Sequence, residues 1–299
     1  MSFELTREES IPDAIRRIVT ERIRDSLKTL HRKTGFQHEM VHKVRRQLKE
    51  ARAALRLVRY DVGKNLFRQE NAMIRDATRP LSEVRDADVM IETFDQLLQH
   101  SRSKGYQEQF KPLRAVLFER RNKIRKRILR PQHTLENTKT ILQKTLACAR
   151  HLPVRHKGWK AVKPGLQKSY EQGRKAMANA LKDGSEEALH EWRKRVKYQR
   201  HHLEILRNSC KKEMEPLARE AHALSDVLGE HHDLSVLKQL MSGELSGILG
   251  NKEREALLVL IARRHQKLQK KAAKLGQRLC AEKGKEFVSR LHGYWQAWR

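Results

Sequence analysis

Three observations predict an all-α fold. Apolar residues recur at helical period in nearly every segment. Only 14 Gly and 7 Pro interrupt 299 residues, too few for the turns of a many-stranded fold. No stretch alternates apolar and polar side chains in the manner of a half-buried strand.

The first helix is predicted over 8–30, with Ile11, Ile15, Ile18 and Ile23 on or near one face. A turn around Gly35 leads to a second helix over 38–60, which DVGKN breaks. LFRQENAMIRDATRP and LSEVRDADVMIETFDQLLQH read as two further segments with Pro80 at their junction. Ser82 before Glu83 is a possible cap there, though a long helix could run through it. Gly105 precedes a basic helix, FKPLRAVLFERRNKIRKRIL, which Pro131 ends, and TLENTKTILQKTLACARHL then runs to Pro153. PVRHKGWKAVKPG, 153–165, concentrates Pro and Gly and reads as the linker between two halves, about 8–152 and 165–295. Helices resume with LQKSYEQGRKAMANALKDG. The next opens at Ser185, an N-cap whose followers Glu186 and Glu187 favour the helix dipole. EPLAREAHALSDVLGEHHDLSVLKQLM and a long segment over about 251–282 complete ten to twelve helices.

Lys and Arg number 65 against 36 Asp and Glu, a formal net charge of +29. Such an excess repels itself in a compact chain and points to a polyanionic partner: nucleic acid, an anionic membrane or a phosphate polymer. Cys148, Cys210 and Cys280 lie far apart with no CxxC spacing, which fits a reducing compartment. MSFELTREES has no apolar signal core, and no stretch approaches the ~20 apolar residues of a membrane span. A soluble cytoplasmic protein is therefore the expectation. Aromatic residues are only 5%, poor material for base-stacking platforms.

The chain repeats itself. VHKVRRQLKEARAALRLV (41–58) aligns with LHEWRKRVKYQRHHLEIL (189–206), placing His42 on His190, Arg45 on Arg193, Arg46 on Lys194, Lys49 on Lys197 and Arg52 on Arg200. LSEVRDADVM (81–90) aligns with LGEHHDLSVL (228–237), placing Glu83 on Glu230 and Asp86 on Asp233. LFERR (117–121) matches LIARR (260–264) more weakly. The order is kept, as in a duplicated helical unit.

On a helical wheel Val41, Val44, Leu48, Ala51, Leu55 and Val58 form one apolar stripe. His42, Arg45, Arg46, Lys49, Arg52 and Arg56 gather beside it in an arc of roughly 120°. Solvated faces usually mix signs, because like charges at i,i+4 repel. A cation-only stripe, present twice, reads as an anion-binding edge. Arg supplies forked donors to phosphate oxygens and Lys a mobile point charge.

At these residues the sequence resembles the CHAD domain, the conserved histidine α-helical domain. The resemblance rests on VHKVRRQLKEARAALRL, LSEVRDADVMI, GWKAVKPGLQKSYEQGRKAM, ALHEWRKRVKYQRHHLEIL and LSDVLGEHHDLSVL, in that order, and extends over roughly 8–295. It implies one domain of two pseudo-symmetric helical bundles, built around four-helix units, with a basic central cavity or groove. It implies binding of inorganic polyphosphate, often at polyphosphate-containing granules. By matched position His42, Arg45, Arg46, Lys49, His190, Arg193, Lys194 and Lys197 would line that surface, with Arg52 and Arg200 extending the stripes. Tyr170 and Arg174 would join them, as would Arg121, Arg125, Arg264 and Lys267 of the long helices. Many CHAD domains are fused to a triphosphate hydrolase carrying ExExK. That signature is absent from the sequence, which reads as a stand-alone CHAD protein. Glu204 stands where the first stripe has Arg56, which weakens the second stripe at its C-terminal end.

GEHHDL (229–234) invites a metal reading, but His231 and His232 point about 100° apart on a helix. The first copy has EVRDAD instead, with Arg85 in a histidine's place. The shared Asp86 and Asp233 read instead as orienting neighbouring cations or capping a helix. His42 and His190 could donate to phosphate or be bonded within the bundle. No P-loop, GxSxG or other nucleophile–base set is present, and neither a metal nor a cofactor is expected. The expected function is non-enzymatic binding of inorganic polyphosphate. General nucleic-acid binding and metal-dependent phosphohydrolysis are the alternatives.

Overall fold

The computed structural model describes residues 3–31, 37–101 and 105–299. The turn expected around Gly35 lies outside the described residues. Among them every regular element is helical: α1 (Ile11–His31), α2 (Gln37–Leu57), α3 (Lys64–Ser101), α4 (Gly105–Gln109), α5 (Lys111–Leu129), α6 (Gln132–Ala149), α7 (Trp159–Asp183), α8 (Glu186–Leu206), α9 (Lys211–Ser242), α10 (Asn251–Leu279) and α11 (Gly284–Trp298), with one 3-10 turn at Arg207–Ser209.

The apolar stripes are what the helices bury. Ile11, Ile15, Ile18 and Ile23 of α1 are fully buried, and so are Val41, Val44, Leu48 and Ala51 of α2. Trp192 of α8 is also fully buried. Helices α1, α2, α3, α5 and α6 pack chiefly on one another, and α7, α8, α9, α10 and α11 do the same. The two sets meet where α2 touches α7 and α8 and where α3 touches α9. The same meeting line positions the candidate site.

Two expectations are corrected. Pro80 does not end a helix; it lies inside the 38-residue α3. Proline removes one backbone donor, and hydroxyls back-bond around it. Thr78 Oγ1 donates to the Arg75 carbonyl at 2.7 Å and Ser82 Oγ to that of Thr78 at 3.2 Å. Ser82 is accordingly mid-helix, not a cap. The linker is also shorter than 153–165, because α7 begins at Trp159 and contains Pro164. Pro164 and Lys160, whose carbonyl loses its donor, are both exposed, so water can replace the missing bond.

Gly165, inside α7, has a different purpose. A Cβ there would stand 1.9 Å from the Leu57 carbonyl oxygen, so glycine is what lets α7 press on the end of α2. The α7–α8 corner is tight because Gly184 takes φ 68°, a left-handed cap, and Ser185 Oγ accepts from the Ala188 amide at 3.2 Å.

Candidate anion-binding site

The basic stripe of α2 faces that of α8. His42, Arg45, Arg46 and Lys49 of α2 line one depression of about 580 Å³ together with Arg193, Lys197 and Arg200 of α8. Helices α3 and α9 supply the other walls, including Arg85, Asp86, His232 and Asp233. Two adjoining depressions share Lys49. One, about 520 Å³, adds Arg52, Arg75 and Arg79; the other, about 220 Å³, adds Arg52, Lys194 and Tyr198. Among the described residues no carboxylate lines either of these two.

Each stripe is held by the helix beside it. Arg45 donates to Ser82 Oγ of α3 and lies 3.9 Å from Asp86. Arg193 lies 3.7 Å from Asp233 of α9. The two aspartates thus stand beside the two matched arginines, the first of the two roles that the sequence left open for them. At these lengths they bias the guanidinium forks without saturating them.

The lysines sit in a strained electrostatic position. Lys49 is exposed toward the depression, yet protein atoms crowd around it from both helices. That burial, then Arg45 and Arg193, lowers its pKa to about 8. Burial likewise pushes Lys197 well below the ordinary lysine value, with Arg193 and Lys49 adding to it. Cations forced this close, with carboxylates too few to neutralise them, are stabilised by any anion that enters. At the far end Arg200 donates to Glu204 at 2.8 Å, so the second stripe is neutralised where Glu204 replaces the Arg56 equivalent. Arg56 itself is packed over the Tyr198 ring, 4.0 Å from its centroid.

The adjacent histidines turn apart, as their spacing requires. His232 meets His190 of α8, Nδ1 to Nδ1 at 3.0 Å, so one ring donates and the other accepts. His231 stacks on His265 of α10 at 4.0 Å and accepts from Gln269. Burial is the first cause holding His231 at about 4 and His232 at about 3. His190 is also lowered, by burial and then by Lys194 and Arg193.

Several expected site residues lie elsewhere. Tyr170 is buried; its hydroxyl donates to the carbonyls of Leu279 and Glu282, and its ring stacks on Phe287 at 3.9 Å. Arg174 donates to the Cys280 carbonyl at 3.1 Å. Both therefore fasten α7 to the α10–α11 corner and do not line the depressions. Arg121 lies over Phe118, and Arg125 is bound to buried Asp88 at 2.5 Å. Arg264 forks onto Glu230 at 2.5 and 2.8 Å. Lys267 is exposed on α10 outside all three depressions. Conversely, Arg75, Arg79 and Arg85 line the depressions and were not picked out by the sequence. The signal for Arg75 and Arg79 was the spacing Arg75, Arg79, Ser82, Asp86, one face of α3 at helical period, visible only once Pro80 is allowed inside the helix.

Fold and site together define a class: an all-α protein in which cations from paired helices crowd one shared depression. The chain belongs to the CHAD domain family, whose CHAD domain matches residues 14–242, a span that includes all four walls of the site. No curated protein matches the chain. None of the helices among the described residues is long and apolar enough to cross a membrane.

Proposed function

We propose that the protein binds inorganic polyphosphate without chemical turnover, in a basic cavity between two duplicated helical units, and that it does so in the cytoplasm, in association with polyphosphate granules. The observation that carries this reading is Lys49, which lines all three depressions, lies close enough to Arg45 and Arg193 for their charges to disfavour its own, and disfavours that of Lys197 in turn. A polymer with a charge on every unit can touch α2 and α8 stripes at once. The matched pairs Arg45–Asp86 and Arg193–Asp233 support the duplication. Membership of the CHAD family supports the ligand class. Affinity comes largely from counterion release, extended here from nucleic acids to polyphosphate.

The test is a titration with polyphosphate of defined lengths. Arg45→Glu with Arg193→Glu should abolish binding while helical circular dichroism persists. Lys49→Met with Lys197→Met is the companion variant, since it removes two charges that burial already disfavours. It should bind at least about tenfold more weakly, a loss of at least about 1.4 kcal/mol, with no loss of thermal stability. Normal binding by both folded variants sinks the assignment. Metal-dependent orthophosphate release that disappears on His232→Ala would replace binding with hydrolysis. Displacement of polyphosphate by duplex DNA at matched charge would replace it with general nucleic-acid binding in the same cavity.

A further inference from the structure

Helix α10 carries a second cationic surface, distinct from the cavity. From Ala256 to Ala281 the sequence holds no carboxylate. Arg263, Lys267, Lys270, Lys271, Lys274 and Arg278 are all exposed. At 100° per residue they fall within an arc of about 100°, turned away from the buried Leu268, Ala272 and Leu275. The stripe runs about 22 Å along the helix.

The contrast with α5 matters. There Arg114, Arg120, Arg125 and Arg127 each meet a carboxylate, from Asp95, Glu244, Asp88 and Glu83 respectively. Of the six stripe cations only Arg278, at Glu220, is so paired, Arg264 on Glu230 lying outside the stripe; among the described residues Arg263 and the four lysines have no carboxylate within 4.0 Å. Like charges recur at i,i+4 along the stripe, which costs helix stability. The arrangement is unfavourable in the free protein and relieved by a polyanion laid along it. It also lies beyond residue 242, where the family match ends.

We infer that the α10 stripe docks the phosphate backbone of a nucleic-acid duplex, without base readout, while the cavity remains open to its own ligand. Four considerations select this occupant. The stripe is on an exposed helix face outside the depressions, so it suits a stiff rod and offers a thin flexible polymer contact on one side only. A duplex presents one charge per about 1.7 Å of axis, roughly a dozen along the stripe. Residues 256–281 contain no Phe, Tyr or Trp, so bases of a single strand have no platform to stack on. No large apolar side chain is exposed between 262 and 278, Val259 being the nearest, so the helix lacks the apolar face that inserts into a bilayer. Four of the six cations are lysines, mobile point charges that fit backbone contact better than forked recognition of a base edge.

The experiment is fluorescence anisotropy with a labelled DNA duplex of about 30 base pairs, on the full chain and on Lys267→Gln/Lys270→Gln/Lys271→Gln/Lys274→Gln. All four positions are exposed, so the variant should keep its circular dichroism and melting temperature. Duplex affinity should fall at least about tenfold, and the slope of log affinity against log salt should shrink by about 3 to 4. Polyphosphate affinity should stay within about twofold, and saturating polyphosphate should leave the duplex bound at equal ionic strength. A quadruple variant that binds duplex like the unmodified protein overturns the proposal. So does a parallel loss of polyphosphate and duplex binding, which would make the stripe part of the cavity. So does an unmodified protein that ignores duplex but binds vesicles of phosphatidylserine through these lysines. The cavity reading fails separately, through Arg45→Glu with Arg193→Glu, whose duplex binding should survive.

Discussion

If the cavity binds polyphosphate as proposed, Lys49 makes that binding answer to pH. Its pKa of about 8 in the free protein means it is mostly charged at pH 7 and mostly neutral at pH 9. Phosphate beside it favours the charged form, so its pKa is higher in the complex. Above pH 8 binding must therefore take up a proton, and affinity falls by up to about tenfold per pH unit for each such lysine. Below pH 7 the lysine no longer contributes a slope. Lys197 acts in the same direction. Calorimetric titration with polyphosphate from pH 7 to 10 should show the decline, and Lys49→Arg with Lys197→Arg should flatten it because arginine stays charged. An equally steep decline in the arginine variant would show that the proton goes elsewhere. The buried histidines titrate with the opposite consequence, for folding. His202, whose Nε2 donates to the Ala53 carbonyl, is held at about 3 and His231 at about 4. Both are lowered from 6.5, so they stay neutral in the folded protein while the unfolded chain gains protons. Their contribution is intact above pH 6.5 and is lost as pH falls from there toward 4, at about 1.4 kcal/mol per pH unit each. Urea midpoints at pH 7 and pH 5 should differ accordingly, by about 2 to 4 kcal/mol in unfolding free energy; equal midpoints would place these rings in water.

At the scale of elements, the approach of α7 to α2 carries the next prediction. Gly165→Ala puts a methyl group against the Leu57 carbonyl, a backbone atom that cannot rotate away. The helices must separate, at a cost of about 1 to 3 kcal/mol, measurable as a lower urea midpoint. Polyphosphate binding should weaken too, since α2 carries half of the stripe pair. An unchanged midpoint would mean that α7 and α2 leave room for the methyl group. Amphipathic period made the helices legible: the stripes of α1, α2 and α8 could be read because side chains repeat every turn. Pro80 and Pro164 misled because proline costs one hydrogen bond, which an exposed carbonyl or a neighbouring hydroxyl makes good. The repeat matched Asp86 to Asp233 but left open whether they orient cations or cap a helix; that they stand beside Arg45 and Arg193 is visible only in the fold. Tyr170 and Arg174 were misplaced because a motif gives a residue's position in the chain but not its rotation about the helix. Arg75 and Arg79 were missed because their face of α3 emerges only when the helix is unbroken.

For the whole molecule the decisive quantity is the net charge of +29. The free protein folds against its own repulsion. Added salt shortens the screening length, about 10 Å at 0.1 M, so sodium chloride should raise the melting temperature of the free protein. Polyphosphate should raise it as well, because a ligand bound only to the folded state stabilises it by RT ln(1 + [L]/Kd). These two increments cannot add. Salt that relieves the repulsion also removes the counterion-release gain on which binding depends. At fixed polyphosphate the melting-temperature increment should therefore be largest at low salt and shrink toward zero as salt rises, while the baseline climbs. A ligand held by a few specific hydrogen bonds would behave differently, keeping its increment as the baseline moved. Thermal melts over a salt series, with and without polyphosphate, separate the two, and an increment independent of salt would remove counterion release from the account while leaving the cation geometry of α2 and α8 to be explained some other way.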